Sequence, residues 1–464
     1  MNRAIMPFQD SSAAPPAGPM TQIGQFARPY TLPVKALLGT RYYVFRARPF
    51  ERKSREAIAD YQLKRLQDVV RVAAERVPFY RRRFHEAGFE PGDLKSLDDL
   101  KRLPILRRRD LKQHFDDLYD HTRAREAVLM QTSGTTGQPV QFLIPREQTV
   151  IELAYHWRFW LWAGYRPGSR VAAFRHYTPK EGEPICRYER SSNTLFFSVH
   201  DMYESRLGEY VEAFNRFRPA LVRGYPSSVY ILAKAAQERG LSLYRPRAVL
   251  TASETLLPQY RQTIERAMGA PVFDWYGTNE RILTAYQCEY RHEYHMSAEA
   301  GIAEFLDLDH DAGSASTAQS LVLTSLVNTI MPFIRYEVGD LAVAGTGPCP
   351  CGRGLPTINR ILGRTDDVLI THEGKSITPV RFYTVFEKFM QVDQFQVVQV
   401  RPDYIKVDIV TGEGFDRGVH KQLAVELARV VGGVALEIKH VTQIDTTAAG
   451  KRRNVIRHVG DRQT

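Results

Sequence analysis

Cysteine is scarce in this sequence, which holds four cysteines, at positions 186, 288, 349 and 351, among 464 residues. So few thiols cannot form a disulfide scaffold for a chain of this size, and a close pair such as Cys349 and Cys351 more often binds a metal or takes part in chemistry. Long apolar runs are also missing. The best candidate, LVLTSLVNTIMPFI (321–334), is interrupted by Thr, Ser, Asn and Pro, and it falls short of the ~18 residues that span a bilayer. We therefore predict no membrane segment.

The N-terminal residues lack a continuous apolar stretch behind a basic start, so they do not resemble a signal peptide. Residues 1–36 are rich in Pro, Ala and Gln. This composition predicts a flexible tail, and we expect a cytoplasmic protein.

Basic residues exceed acidic ones, giving a formal net charge of +11. The basic runs are short and scattered, with acidic residues between them: YRRRF (80–84), LRRRDLK (106–112) and GKRRN (450–454). This distribution indicates solvated helix faces and some attraction of anionic small substrates such as nucleotides. We expect no nucleic-acid partner.

Changes of pattern along the chain predict two folded domains after the tail. Apolar residues at helical spacing predict a helix over 55–76, and from about 125 to 345 short β-branched runs alternate with helical stretches, which is typical of an α/β sheet domain. After residue 370 the pattern becomes helix, two strands, helix and strand, with Thr378 as a helix cap and Pro379 in the first turn. We predict a large α/β domain over 37–363 and a small α+β domain over 364–464, with no internal repeat.

The stretch QTSGTTGQPV (131–140) is a candidate phosphate-binding loop. Its glycines let backbone N–H groups turn toward an anion, and its hydroxyls add neutral donors. The residues that would contribute are Thr132, Ser133, Gly134, Thr135, Thr136 and Gly137. Gln138 and Pro139 follow Gly137, so the loop is not the P-loop of common NTPases. A plain turn between strands is the alternative.

Four further motifs follow the loop in order: WYGTNE (275–280), IRYEVGD (334–340), GRTDD (363–367) and TTAAGKRRN (446–454). Together the five motifs resemble the adenylate-forming superfamily that includes acyl-CoA synthetases. The stretch CPCGR (349–353) and the N-terminal VPFYRRRF (77–84) are similar to the phenylacetate-CoA ligase branch. The resemblance runs from about residue 61 to residue 451.

The resemblance implies a ligase that joins a carboxylic acid to AMP, releases pyrophosphate and passes the acyl group to a nucleophile, usually coenzyme A. It assigns the β,γ-phosphates of ATP to loop 132–137 and Mg²⁺ to Glu280. It assigns the ribose hydroxyls to Asp340, the ribose or phosphate to Arg364, and the attacked phosphate and carboxylate to Lys451. Further nucleotide-binding positions are Ser253, Glu254, Tyr276, Gly277 and Thr278.

Each of these residues could also have a structural role that does not involve a nucleotide. Glu280 could be a surface acid, Asp340 a turn residue, Arg364 part of a boundary salt bridge, and Lys451 part of a basic tail. A helix cap would account for Ser253 and Glu254 nearly as well. A non-catalytic nucleotide-binding or scaffolding protein is therefore a further hypothesis, against which the joint presence of the four charged residues argues.

The sequence departs from the family pattern at two places. Asn279 stands where the family has Ser or Thr before the glutamate, and the segment GKSITPVRFY (374–383) has Ser376 for Asn and Tyr383 for Glu. The second segment lies on the acceptor side in the family, so the acceptor is coenzyme A or, alternatively, an amine or a carrier-protein thiol.

An aryl or other compact acid is the expected substrate. Aromatic residues near the expected pocket suit a flat or apolar acyl group, although aromatics line ordinary cores equally often. They are Phe174, Tyr177, Tyr225, Trp275 and Tyr276. We expect a monomer or a homodimer.

Cys288, His295, Cys349 and Cys351 could supply three thiolates and one imidazole to a closed tetrahedral Zn²⁺ site. Some members of the branch resemble this arrangement. Inert buried thiols are the alternative, His292 is the fallback nitrogen ligand, and we expect Cys186 in the core.

The resemblance also implies that the C-terminal domain is mobile. Lys451 and the GKSITP segment (374–379) would serve different half-reactions and exchange places by rotation about Asp366.

Overall fold

The computed structural model describes residues 41, 44–132, 140–175, 177–180, 182–202, 204–308, 318–447 and 450–458. The predicted tail over 1–36 lies outside these residues.

α-Helices follow a short helical segment at 44–50. They are Arg55–Arg76 (α1), Pro78–Glu86 (α2), Arg108–Gln113 (α3), Arg146–Trp162 (α4), Leu207–Phe217 (α5), Pro226–Glu238 (α6), Pro258–Met268 (α7), Pro379–Phe386 (α8) and Arg417–Val431 (α9).

The strands are Ala127–Gln131 (β1), Gln141–Pro145 (β2), Val171–Phe174 (β3), Cys186–Glu189 (β4), Thr194–Phe197 (β5), Leu221–Gly224 (β6), Ala248–Ala252 (β7), Val272–Gly277 (β8), Thr284–Gln287 (β9), Tyr294–Met296 (β10), Gly301–Asp307 (β11), Gln319–Ser325 (β12), Tyr336–Ala344 (β13), Thr357–Arg364 (β14), Leu369–Ile370 (β15), Ser376–Ile377 (β16), Val392–Arg401 (β17), Tyr404–Thr411 (β18), Ala435–His440 (β19) and Val455–Arg457 (β20).

The large domain is built on a twelve-stranded sheet with the strand order β11-β12-β13-β14-β10-β9-β8-β7-β6-β3-β5-β4. Strands β5, β3, β6, β7 and β8 run parallel, and the pairs on either side of this block are antiparallel. The carboxyl ends of parallel strands meet at one edge, where ligands bind in open α/β sheets. The loops after β3, β6, β7 and β8 therefore mark the edge at which to look for a site.

Local sequence explains the first long helix. Ser54 accepts a hydrogen bond from the N–H of Ala57 at 3.2 Å and caps α1. Leu66, Val69 and Ala73 are fully buried at helical spacing, and Pro78 follows the end of the helix. The predicted helix over 55–76 is confirmed.

The C-terminal domain contains a four-stranded sheet in the order β19-β18-β17-β20, with α8 and α9 beside it. Its order of elements follows the prediction, with the short strands β15 and β16 before α8 and strand β20 at the end as additions. Thr378 does precede α8, but its hydroxyl makes no hydrogen bond in the described part of the chain. Thr378 is nevertheless the N-cap residue of α8, as predicted, and Pro379 occupies the first helical position, where its fixed φ preorganises the start of the helix.

One continuous apolar cluster, here called the interdomain cluster, joins the two domains. It contains buried residues from α5, α6 and α7 of the large domain, such as Val229, and from α8, α9 and the C-terminal sheet, such as Phe386. Cys186, which was expected in the core, is only partly buried and packs against the outside of this cluster. The predicted boundary between 363 and 364 falls within β14, and it stays a prediction.

In the described part of the chain, no helix is long and apolar enough to cross a membrane.

Candidate active site

Two carboxylates predicted to act on the nucleotide come from separate parts of the large sheet and share the charge of Arg364. Glu280 follows β8, and Asp340 lies in β13 directly opposite Arg364 of β14. The hydroxyl of Tyr276 donates a hydrogen bond to Asp340 Oδ2 at 2.6 Å, and the hydroxyl of Tyr336 donates to Glu280 Oε1 at 3.3 Å. These phenols hold the two acid groups in fixed orientations.

The electrostatics of this acid pair favour a bound cation. Burial raises the pKa of Glu280, and the negative charge of Asp340 raises it further. Burial also raises the pKa of Asp340, which the positive charge of Arg364 opposes. Arg364 Nε lies 3.7 Å from Asp340 Oδ1. Among the described residues Glu280 forms no ion pair, so its carboxylate is available to a hard cation such as Mg²⁺.

The C-terminal domain delivers Lys451 to the same place. Burial lowers the pKa of Lys451, and the positive charge of Arg175 lowers it further, whereas Glu254 and Asp340 act in the opposite direction. The lysine precedes β20 in a tight loop in which Thr447 N–H donates to the Lys451 carbonyl at 2.8 Å. A residue nearly two hundred positions beyond Glu254 thus contributes its charge to the site.

Gly450 allows that loop to approach the large domain. Its φ is +77°, and a Cβ at this position would lie 2.3 Å from Val199 Cγ2. Both the left-handed backbone and the close approach require glycine. The loop therefore presses directly against the residues that follow β5.

Glu254 connects the domains. One carboxylate oxygen accepts the backbone N–H of Arg452 at 2.6 Å, and the other accepts the N–H of Ser227 at 3.1 Å. Helix α7 begins only at Pro258, with Leu257 as its cap, and Ser253 has a φ of +73°. The alternative of a helix cap at Ser253 and Glu254 is therefore wrong.

The loop predicted to bind phosphate is described only at its base. Thr132 N–H donates to the Val140 carbonyl at 3.0 Å, and Val140 N–H donates to Thr132 Oγ1 at 3.1 Å, which closes the loop. Ser133, Gly134, Thr135, Thr136 and Gly137 lie outside the described residues. Thr278 and Gly277 end the β8 segment that leads to Glu280.

Three of the aromatic residues expected around the acyl group have surroundings that differ from one another. Phe174 stacks on Phe197 with ring centroids 4.5 Å apart and belongs to the interdomain cluster, so it is a core residue. The hydroxyl of Tyr177 donates to the Pro184 carbonyl at 2.8 Å. Trp275 packs edge-on against His156 of α4, with centroids 4.6 Å apart.

Sequence reasoning did not single out three polar residues of the large domain: His156 in α4, Arg175 directly after β3, and Arg223 in β6. His156 Nδ1 lies 3.1 Å from the Tyr286 hydroxyl, and burial lowers its pKa to about 3, so the imidazole is neutral. Arg223 of β6 is buried, which lowers its pKa to about 9. Arg175 could have been noticed in the sequence, because it is a basic residue directly after the apolar strand VAAF.

A separate cluster joins the four predicted zinc ligands. The ligand atoms of Cys288, His295, Cys349 and Cys351 all lie within 4.8 Å of one another. Cys288 Sγ lies 3.6 Å from Cys349 Sγ, and Cys351 Sγ lies 3.4 Å from His295 Nε2. Three thiols and one imidazole at these distances fit a tetrahedral Zn²⁺. The fallback ligand His292 is exposed and is not among them.

Curated relatives share most of the chain. The phenylacetate-coenzyme A ligase of Thermus thermophilus is 29% identical over 381 residues, which cover 80% of this chain and 85% of the relative. Over most of its length the chain is therefore similar to proteins named phenylacetate-coenzyme A ligase. Protein CapK of Staphylococcus aureus is 24% identical over 78% of this chain and 81% of its own length. Residues 369–458 match the family described as the CapK C-terminal domain.

Solved structures confirm the fold class. A 2-hydroxyisobutyryl-CoA ligase in the postadenylation state, in complex with an acyl-AMP, is 23% identical and covers 89% of this chain and 91% of its own, with a TM-score of 0.68. The same ligase with an acyl-AMP and CoA in the thioesterification state is 24% identical, covers 86% of this chain and 89% of its own, and gives a TM-score of 0.54. The predicted large α/β domain with a small C-terminal domain is thus confirmed.

Proposed function

We propose that this protein is an AMP-forming carboxylate–CoA ligase. The observation that supports this most directly is that the residue after Lys451, Arg452, donates its backbone N–H to Glu254 at 2.6 Å, and that the charges of Asp340, Arg364 and Glu254 all act on the pKa of Lys451. A scaffolding protein would have no need to shield a lysine among these groups. The sequence relatives named phenylacetate-coenzyme A ligase support the same activity.

In the first half-reaction a carboxylate oxygen of the acid attacks the α-phosphorus of ATP, and pyrophosphate leaves. Such displacements depend on alignment and charge neutralisation more than on covalent help. Lys451 would place its ammonium between the attacking carboxylate and the α-phosphate, and it would stabilise the charge that develops there. Its proximity to Asp340 and Glu254 favours the protonated form that this role needs.

Asp340 would bind the ribose hydroxyls, with Tyr276 fixing one carboxylate oxygen and Arg364 lying beside the other. Glu280 would hold Mg²⁺, which would neutralise charge on the phosphates when bound. Loop 132–137 would bind the β,γ-phosphates. Ser253, Glu254, Gly277 and Thr278 would line the remainder of the nucleotide site.

The acyl group would then pass to coenzyme A. The segment 374–383 departs from the family at Ser376 and Tyr383, so an amine or a carrier-protein thiol is the second candidate acceptor. Tyr383 is buried against the large domain, with its hydroxyl 3.9 Å from the position a Cβ would take on Gly363.

One experiment separates these possibilities. Acid-dependent exchange of labelled pyrophosphate into ATP should occur with Mg²⁺ and without any acceptor across a panel of aryl and compact acids. Single-turnover transfer from the enzyme-bound adenylate to coenzyme A, to hydroxylamine and to a phosphopantetheinylated carrier protein then identifies the acceptor. Absence of exchange with every acid tested would contradict adenylation and favour a non-catalytic role.

The cysteine cluster would hold one structural Zn²⁺. Its ligands are Cys288, which directly follows β9, His295 in β10, and Cys349 and Cys351, and a site with four protein ligands leaves no open position for a substrate. The metal would therefore fasten these segments of the large domain together.

A further inference from the structure

The residue after Glu280 has an unusual backbone conformation. Arg281 has a φ of +54°, in the left-handed region that residues with a Cβ seldom adopt. Its N–H donates to the carbonyl of Thr278 at 3.1 Å, so Glu280 lies inside a tight turn that Arg281 closes. A left-handed backbone at a residue other than glycine persists only where surrounding contacts hold it. The contacts of Arg281 therefore indicate what fixes the turn that carries Glu280.

The first two turns of helix α4 supply those contacts. Gln148 Nε2 donates to the carbonyl of Arg281 at 2.8 Å, and Arg281 Nη1 donates to Thr149 Oγ1 at 2.7 Å. Arg281 Nε lies 3.0 Å from Glu152 Oε2. Helix α4 thus holds Arg281 both at its backbone and at its guanidinium.

These contacts are shielded from water. The side chains of Arg281 and Glu152 are 6% and 12% exposed, and Gln148 is buried. Removing one partner of a buried ion pair or hydrogen bond leaves the other uncompensated, so such groups keep their partners. We therefore expect the turn at Glu280 to hold one conformation.

Helix α4 also begins where the loop predicted to bind phosphate ends. Val140 closes the base of that loop, and β2 follows it and runs directly into α4 at Arg146. Thr149 belongs to the first turn of the helix. One rigid element therefore connects the base of the loop with the turn that carries Glu280. A cation that bridges Glu280 and the phosphates needs these two parts at a fixed separation, because metal ligands must be held in place by the residues that support them.

We propose that Arg281 is a positioning residue: held by Gln148, Thr149 and Glu152 of α4, it fixes the orientation of Glu280 toward a divalent cation on the phosphates of ATP. This inference rests on the proposed function and adds to it a residue that acts through its neighbour rather than on the substrate. The carboxylate of Glu280 is left for the cation, while the residue next to it carries the anchoring contacts.

The test measures how strongly a divalent cation improves the binding of a non-hydrolysable ATP analogue. Calorimetry gives the dissociation constant of the analogue with EDTA and with Mn²⁺, and the ratio of the two constants is the metal enhancement. Thr149→Val and Gln148→Leu each remove one hydrogen bond to Arg281 with little change in volume, and each should reduce the metal enhancement roughly 2- to 10-fold. The affinity measured in EDTA should not change.

Two variants of Arg281 separate its side chain from its backbone. Arg281→Gly accepts the left-handed conformation without strain, so it removes only the side-chain contacts, and it should lose most of the metal enhancement. Arg281→Lys keeps a positive charge opposite Glu152 and should retain part of it. Full metal enhancement in Arg281→Gly would mean that the turn alone positions Glu280, and it would overturn the inference.

Arg158→Gln is the control for the loss of a buried ion pair. Arg158 lies on the same helix, and its Nη1 pairs with Glu299 at 2.6 Å. This variant should lower the midpoint of thermal unfolding and leave the metal enhancement unchanged.

Glu280→Gln tests whether α4 acts through Glu280. This variant should abolish the metal enhancement, and adding Thr149→Val to it should cause no further loss, because both changes act on the same contact with the cation. A further loss of affinity for the analogue in the double variant would overturn the inference. An equal loss with Mn²⁺ and with EDTA in Thr149→Val would also overturn it, since it would indicate a general structural role.

Pyrophosphate exchange separates failure of this inference from failure of the proposed function. If no acid supports exchange while the metal enhancement falls in the variants as expected, adenylation is rejected and the positioning role of Arg281 stands. If exchange occurs while wild-type protein binds the analogue equally with Mn²⁺ and with EDTA, adenylation is supported and the inference is overturned.

Discussion

Replacing Gly450 by alanine should displace Lys451 from the site without unfolding the protein. The new methyl group would lie 2.3 Å from Val199 Cγ2, and the backbone has a φ of +77°. Left-handed backbone costs a non-glycine residue about 1–2 kcal/mol, and overpacking adds about 1–3 kcal/mol. The loop can avoid the clash only by moving away from the large domain, and it carries Lys451 with it.

A combined penalty of ~2–5 kcal/mol corresponds to a roughly 30- to 5,000-fold loss of the productive arrangement. We expect pyrophosphate exchange to fall by that factor, while the midpoint of thermal unfolding changes little because the loop lies at the surface of contact between domains. Gly414→Ala is the matched control, since Gly414 has the same φ of +77° but its nearest neighbour would be Gln391 Cγ at 3.7 Å.

Val199→Ala in the Gly450→Ala background makes room for the new methyl group and should restore part of the exchange. If Gly450→Ala exchanged pyrophosphate at the wild-type rate while folded, the close approach to Val199 would not be what positions the lysine.

Three further predictions concern the protonation of Lys451, the two half-reactions and the cysteine cluster. Burial lowers the pKa of Lys451, so pyrophosphate exchange should decline as the pH rises through that lowered pKa and the ammonium is lost. Lys451→Arg should move this decline to higher pH. An unchanged alkaline limb in the pH–rate profile of the variant would refute the assignment. Lys451→Ala should lose exchange yet still transfer from a supplied acyl-adenylate, whereas Asp366→Pro should spare exchange and slow transfer; equal loss of both half-reactions in folded Lys451→Ala would contradict the division of labour. Purified protein should contain about one Zn²⁺ by elemental analysis. Cys351→Ser should lower the midpoint of thermal unfolding while leaving the rate of pyrophosphate exchange by the folded protein largely unchanged, because a closed site supports the fold. Fully active protein without zinc would exclude the metal.

Local patterns predicted those parts of the fold that depend on neighbouring residues. The helix over 55–76 follows from a capping serine, regular apolar spacing and a terminating proline, all of which are visible in the sequence. The motif residues Glu280, Asp340, Arg364 and Lys451 could be chosen from their order along the chain. Their assembly depends on the order of strands in the sheet, which the sequence does not reveal. Strand β14 pairs with β10, and β13 pairs with β14.

Features that arise from tertiary contact were not predictable in the same way. Thr378 takes the N-cap position of α8 as predicted, but the sequence does not reveal that its hydroxyl is buried without a hydrogen-bond partner among the described residues. Phe174 was placed near the acyl group, whereas the alternation of a strand turns it into the core behind Arg175. The roles of Gly450 and Glu254 depend on the domain that each one faces.

The interdomain cluster has a consequence for the order in which substrates bind. A rotation that removes Lys451 from the site would separate apolar surfaces and break the ion pair between Lys234 and Asp393, to which Tyr230 also donates a hydrogen bond at 3.1 Å. Before it carries an acyl-adenylate, the enzyme is therefore expected to remain in the arrangement in which adenylation occurs. Pyrophosphate would depart before the acceptor engages, which gives ping-pong kinetics and keeps the reactive anhydride away from water until a thiol or an amine can take the acyl group.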